Sequence, residues 1–92
     1  MAAEKVAVEG DKEDHGEGAF KTPAKTSVKI EGKPVIVVDD EAYPDNANHT
    51  DTQASTGSGT VFVYDKKLHR NNDQRHCGAK TVVTGQSKVF CG

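Results

Sequence analysis

Six side chains of this 92-residue chain have the chemistry to hold a soft metal ion: His15, His49, His69, His76, Cys77 and Cys91. No Cys-x-x-Cys pair and no finger-type spacing joins them, so on local spacing alone they read equally as scattered surface residues. Their placement against turn residues is more informative. His15 lies four residues after Asp11, Cys77 four after Asp73, and the loop that follows Asp39-Asp40 carries His49. Turns that converge at one end of a folded chain would bring these three ligands together. Zinc takes four N and S donors in a tetrahedron, and three His with one Cys satisfies it. The fourth donor is His76 or His69. A strand advances about 3.3 Å per residue, so His69, close behind Asp65-Lys66-Lys67, is too distant if that turn faces the opposite end. His76 lies in the ligand-bearing turn itself. Neighbours in a strand point to opposite faces, but a turn at Gly78 relieves the conflict between His76 and Cys77. Reach favours His76, with His69 as the alternative. Cys91, beside the final Gly92, reads as a free or packing thiol.

The elements that must position these ligands are short strands. Only 34% of the residues are apolar, Trp is absent, and five residues are aromatic. A single domain over residues 1–92 with so thin a core needs a staple, which a metal supplies. No stretch repeats apolar residues at helical spacing. Val-rich runs broken by Gly, Asp, Asn and Pro predict strands and turns instead. Val28 and Ile30 lead through Glu31-Gly32-Lys33-Pro34 to Val35-Ile36-Val37-Val38. Val61 and Val63 lead through Asp65-Lys66-Lys67 to Leu68 and the residues up to Arg70. Each is a hairpin. Further strands are expected at 80–83 and 88–90, a loop at 44–59, and loosely held residues at 1–9.

The hairpins repeat. A shift of 33 positions superposes Val28 on Val61, Ile30 on Val63, Lys33 on Lys66 and Asp40 on Asp73. Thr56-Gly57-Ser58-Gly59-Thr60-Val61-Phe62 is echoed by Thr84-Gly85-Gln86-Ser87-Lys88-Val89-Phe90. About two and a half such units are too few for a solenoid, so a closed wrapping around a pseudo-rotation axis is expected.

Several classes are disfavoured. A net charge of −2, with acids and bases mixed along the chain, gives no basic face for nucleic acid. No apolar run is long enough to cross a bilayer, and the opening Met1-Ala2-Ala3-Glu4-Lys5 lacks the pattern of a secretory signal. Cysteines made in a reducing compartment are expected as thiols or ligands rather than as a disulfide. A zinc hydrolase would need a base such as Glu41 or Asp73, but there is no His-Glu-x-x-His helix and little room for a cleft. Thr56-Gly57-Ser58-Gly59-Thr60 runs into a strand, not the helix of a phosphate loop. Asn48-His49-Thr50 has the form of a glycosylation acceptor, without meaning in the absence of a secretory route. A metal-free β interaction module is the remaining alternative.

From about Gly10 onward the chain resembles the PAAR-repeat proteins, which tip phage tail spikes and type VI secretion spikes. The residues that carry the resemblance are Gly10-Asp11, His15-Gly16, Gly32-Lys33-Pro34-Val35, Thr56-Gly57-Ser58-Gly59-Thr60-Val61-Phe62-Val63, Cys77-Gly78-Ala79 and Thr84-Gly85-Gln86-Ser87. Of the name-giving Pro-Ala-Ala-Arg string only Pro34 survives in the first repeat and Arg70 in the second, and Tyr43-Pro44 stands where many members have Cys-Pro. The resemblance implies an all-β, three-sided cone with structural zinc near the vertex. By the same resemblance, His15, His49 and Cys77 match the family's ligands. It implies a broad base seated on a trimeric β-helical spike, and Val28, Ile30, Val61 and Val63 are the expected contacts. The expected role is a non-enzymatic tip that meets the host envelope transiently. A chain without a toxin-sized extension suits the virion of a contractile phage tail, with a type VI secretion tip as the alternative.

Overall fold

Runs of two to four β-branched residues, cut by Gly and Asp, cannot sustain long ladders. In the computed structural model, which describes residues 3–14, 16–44 and 52–92, every strand is two residues long. The strands are β1 (Glu4–Lys5), β2 (Lys12–Glu13), β3 (Lys29–Ile30), β4 (Lys33–Pro34), β5 (Phe62–Val63), β6 (Lys66–Lys67), β7 (Thr81–Val82) and β8 (Phe90–Cys91). All pair antiparallel, as β1–β8, β2–β7, β3–β4 and β5–β6, and the described residues contain no helix.

What unites these fragments is a closed ring of three main-chain hydrogen bonds. The amide of Ala7 donates to the carbonyl of His69 (2.9 Å), that of His69 to Ile36 (2.9 Å), and that of Ile36 to Ala7 (3.0 Å). Isolated bridges Val6–Arg70, Val8–Val35 and Val37–Leu68 join the same three segments in pairs. Each segment then turns at an aspartate whose carboxylate accepts an amide three residues back: Val8 to Asp11 (2.8 Å), Val37 to Asp40 (2.8 Å) and Arg70 to Asp73 (2.9 Å). The residue before each aspartate is left-handed: Gly10 at φ 90°, Asp39 at 78° and Asn72 at 70°. Asp and Asn tolerate that region better than most side chains, which is why only one of the three positions is Gly. The chain therefore repeats three times around the ring.

The apparent half repeat is explained by the third hairpin. Val35 and Leu68 donate to the carbonyls of Val28 and Val61 within their hairpins, and Val6 donates equivalently to Val89. The third hairpin thus joins segments from opposite ends of the sequence, β1 and β8. Residues 4–8 are therefore held in the fold. Glu4 and Lys5 are paired, and Val6, Ala7 and Val8 are buried in the core. Their neighbours are remote in sequence, so no local pattern announces the strand.

Two apolar clusters fill the interior. Ala7, Phe20, Ile36, Ala42, Ala54 and Val83 form one. Val6, Val35, Val37 and Leu68 form the other, covered by Ile30, Val61, Val63, Tyr64 and Cys91. The repeated Thr-Gly pairs have a packing reason. A Cβ on Gly85 would stand 2.7 Å from Val8 Cγ2 and 3.0 Å from Asp11 Oδ1, and its amide donates to that same oxygen at 2.8 Å. Gly85→Ala is expected to destabilise the protein by about 1–3 kcal/mol through overpacking. Urea unfolding checks this, and an unchanged midpoint would show that Val8 yields freely.

Candidate metal centre and docking face

Two tight turns built alike lie beyond the aspartates. Glu13 N–H donates to Glu17 O (2.8 Å) and Gly16 N–H to Glu13 O (2.9 Å). Arg75 N–H donates to Ala79 O (2.8 Å) and Gly78 N–H to Arg75 O (2.9 Å). Gly16 and Gly78 are both left-handed, at φ 80° and 90°, as a turn this tight demands. In sequence, His15 and Cys77 hold the same position within the two turns. Cys77 is a half-buried free thiol. His15 and His49 lie outside the described residues. His76 is exposed, with Nε2 3.8 Å from Asp39 Oδ1. Among the described residues no three His, Cys, Asp or Glu side chains are gathered as a metal cluster. The donor chemistry of these turns, an imidazole or thiolate held by a glycine-closed loop, suits zinc.

His69 has a different place. It is fully buried, its ring edge-on to Phe20 at 5.3 Å between centroids. Nδ1 lies 2.7 Å from the carbonyl of Thr56, which can only accept, so Nδ1 carries the proton. Nε2 accepts from the Thr81 hydroxyl at 2.7 Å. Both ring nitrogens are engaged, and neither is directed to a turn. Burial lowers its pKa to about 4, opposed by the bond to Thr56 and by the Asp73 carboxylate, and reinforced by Arg75 and Arg70. The folded state therefore refuses a proton that the unfolded chain accepts near pH 6.5. Stability from this group is complete above that pH and is lost as pH falls towards 4, by roughly 3 kcal/mol at most. Unfolding midpoints between pH 4 and 7 should show this slope, and His69→Gln should remove it. A slope that persists in the variant would place the titration elsewhere.

The residue two after each aspartate is Glu13, Ala42 or Arg75, all buried. Among the described residues Arg75 is the largest fully buried side chain. Its guanidinium donates to Thr81 Oγ1 (3.0 Å), to Asp11 O (3.2 Å) and to Gly18 O, and lies 4.2 Å from the Phe20 ring centroid. A Cβ on Gly18 would meet Arg75 Nη1 at 2.9 Å and Glu13 Oε2 at 3.1 Å, so these opposite charges share one small space. Sequence reasoning missed this polar core. The three-turn equivalence, which puts Glu and Arg at matching positions, was the available signal.

The hairpins form the other candidate surface. Ile30, Val61 and Val63 pack inward on the second cluster, and of the four expected contacts only Val28 is well exposed, at 40%. The outward apolar residues are Phe62 (55%), Phe90 (52%) and Val89 (41%). The alternation follows from the two-residue period of a strand. If Val63 faces in, Phe62 faces out.

Threefold main-chain repetition, matched aspartate turns and a His/Cys pair in equivalent loops meet in one sequence pattern. Residues 9–84 match the PAAR motif. The chain belongs to the PAAR motif family. PAAR proteins are structural spike tips, not enzymes, and they cap trimeric spike proteins; the family binds zinc. The protein is accordingly a spike tip of a contractile injection system, which sets aside hydrolase and nucleotide-binding readings. A search of curated proteins finds no match to this PAAR chain.

Proposed function

We propose that this PAAR protein caps and sharpens the trimeric β-helical central spike of a contractile phage tail, with a structural zinc ion pinning its vertex. The same tip on a type VI secretion spike is the alternative setting. The observation that carries the reading is the closed ring through Ala7, Ile36 and His69, which gives one chain a threefold backbone suited to a threefold partner. A trimeric β-helix that ends bluntly leaves open strand edges and apolar core, and a cap removes both. The hairpin face with Val28, Phe62, Val89 and Phe90 is the proposed base.

The vertex is proposed to lie at the turns closed by Gly16 and Gly78. His15, His49, His76 and Cys77 would hold the ion. The hydrogen bonding of both His69 nitrogens within the core supports His76 over His69 as the fourth donor. When bound, zinc supplies a closed four-ligand crosslink where the apex is too narrow for apolar packing. Elemental analysis of the purified protein should give one zinc per chain, and co-expression with a trimeric β-helical spike should yield a complex of one chain per trimer. A natively folded protein without metal would sink the zinc assignment, leaving a metal-free β module. Failure to bind the spike would sink the cap.

A further inference from the structure

Two of the three turn aspartates have both carboxylate oxygens satisfied by the chain itself. Asp11 Oδ2 accepts the Val8 amide, and its Oδ1 accepts the amides of Thr84 (3.0 Å) and Gly85 (2.8 Å). Asp73 Oδ2 accepts the Arg70 amide and Nε, both at 2.9 Å, and its Oδ1 accepts Arg70 Nη2 (3.1 Å) and Thr56 Oγ1 (3.0 Å). Asp40 is the exception. Its Oδ2 accepts the Val37 amide at 2.8 Å, and among the described residues no group donates to Oδ1. The residues of the second repeat account for the difference. Lys21 and Ser55 donate alike to Glu41 and Gln74, the residues after Asp40 and Asp73, so Thr22 is the counterpart of Thr56. The Thr22 hydroxyl is taken by Glu9 Oε2 (2.8 Å), and Pro23 has no N–H to offer. Three residues before the aspartate, Val37 stands where the third repeat has Arg70. The buried Ser58 and Gln86 accept the amides of Val61 and Val89, whereas the matching amide of Val28 donates to the Tyr64 hydroxyl (2.9 Å). The result is an open cleft of about 130 Å³ lined by Ala24, Lys25, Val37, Asp40, Tyr64 and Lys66. Neither lysine bonds to Asp40. Lys66 reaches Asp39 at 3.4 Å, and Lys25 Nζ lies 5.3 Å from the centroid of the Tyr64 ring. Burial holds the Asp40 carboxyl above the usual carboxylate range, opposed in part by the Val37 amide and by Lys66.

We infer that this cleft takes the guanidinium of an arginine from a partner protein, paired with Asp40 and stacked against Tyr64. The chain itself shows the fit, because Arg70 makes this pairing with Asp73 at the equivalent place in the third repeat. A planar guanidinium presents two parallel donors to a carboxylate, which an ammonium does not. The Tyr64 ring already holds a cation, and an incoming guanidinium replaces Lys25 there. Lys25 and Lys66 oppose the newcomer by charge, so removing Lys25 should strengthen binding. The inference depends neither on zinc nor on the proposed base.

The test titrates the full chain with a blocked Gly-Arg-Gly peptide and follows the amide NMR signals of Val28, Asp40 and Tyr64. Peptides with lysine or with the neutral isostere citrulline in place of arginine serve as controls. The arginine peptide is expected to shift these three signals and to bind roughly tenfold more tightly than the citrulline peptide. The lysine peptide should also bind more weakly than the arginine peptide. Lys25→Ala should tighten arginine binding about threefold, by freeing the ring face. Asp40→Asn keeps an oxygen for the Val37 amide and should lose the preference for arginine over citrulline. If that variant does not fold, the peptide series on the unaltered chain and Lys25→Ala decide. Equal binding of the arginine and citrulline peptides would overturn the pairing with Asp40, and equal binding of the arginine and lysine peptides would overturn the choice of guanidinium. Shifts confined to other residues, or none, would overturn the site. Methylguanidinium that bound as tightly as the arginine peptide would overturn a protein as the source.

Discussion

Stripping the proposed zinc ion with a chelator is expected to collapse most of the protein's stability. Structural zinc contributes on the order of 10 kcal/mol to sites of this kind, while a domain has only about 5–15 kcal/mol in total. Each kcal/mol shifts the midpoint of a domain this size by roughly 4–8 °C, so the apo form should melt at least about 20 °C lower or be unfolded. Chelation should also make the half-buried thiol of Cys77 react with a thiol reagent at low denaturant. Calorimetry before and after chelation, with metal content measured in both samples, makes the comparison. An unchanged midpoint after verified metal loss would remove zinc from the account. His76→Ala should reproduce most of the loss if His76 is a ligand. His69→Gln should leave the metal content unchanged, because that ring bonds to Thr56 and Thr81 instead.

Arg75→Met is expected to cost about 3–5 kcal/mol, the range for breaking a buried charge network by removing one partner. The guanidinium satisfies Thr81, Asp11 O and Gly18 O and shares its space with Glu13. Removing it takes a neighbouring cation away from the buried Glu13 and leaves three acceptors without this donor. Adding Glu13→Gln to Arg75→Met should recover part of the loss, so the two substitutions should be non-additive. Denaturant unfolding of the wild type, both single variants and the double variant measures the coupling. Strict additivity would mean that Glu13 and Arg75 act independently and that the loss comes from packing and hydrogen bonds alone. Arg75, from the third repeat, ties itself to the carbonyls of Asp11 and Gly18 in the first and so fixes their packing.

Much of the architecture was legible in the chain. Val-rich runs broken by Gly and Asp gave β-hairpins, because short branched runs fit a pleated surface and helical spacing is missing. The shift of 33 residues that matched Asp40 with Asp73 identified real structural equivalents, since both carboxylates close the same turn. Asp11 completes the set at a spacing of 29, not 33, and that irregularity hid the third copy. The face that Ile30, Val61 and Val63 take was not legible in the chain. Alternation limits a strand to two choices, and only the cluster around Val35 and Leu68 decides between them.

Residue order by itself determined the β class, the turn aspartates, the equivalent loop positions of His15 and Cys77, and membership of a spike-tip family. Each of these follows from local chemistry: strand and turn propensity, and donor type at fixed spacing. Tertiary structure alone decided that β1 completes the third hairpin with β8, that His69 belongs to the core, and that Arg75 lies in the interior. These depend on segments up to some 85 residues apart meeting around one ring, as Lys5 and Phe90 do. Long-range pairing of this kind is chosen by the burial and hydrogen bonding of the whole chain, which no window of sequence contains.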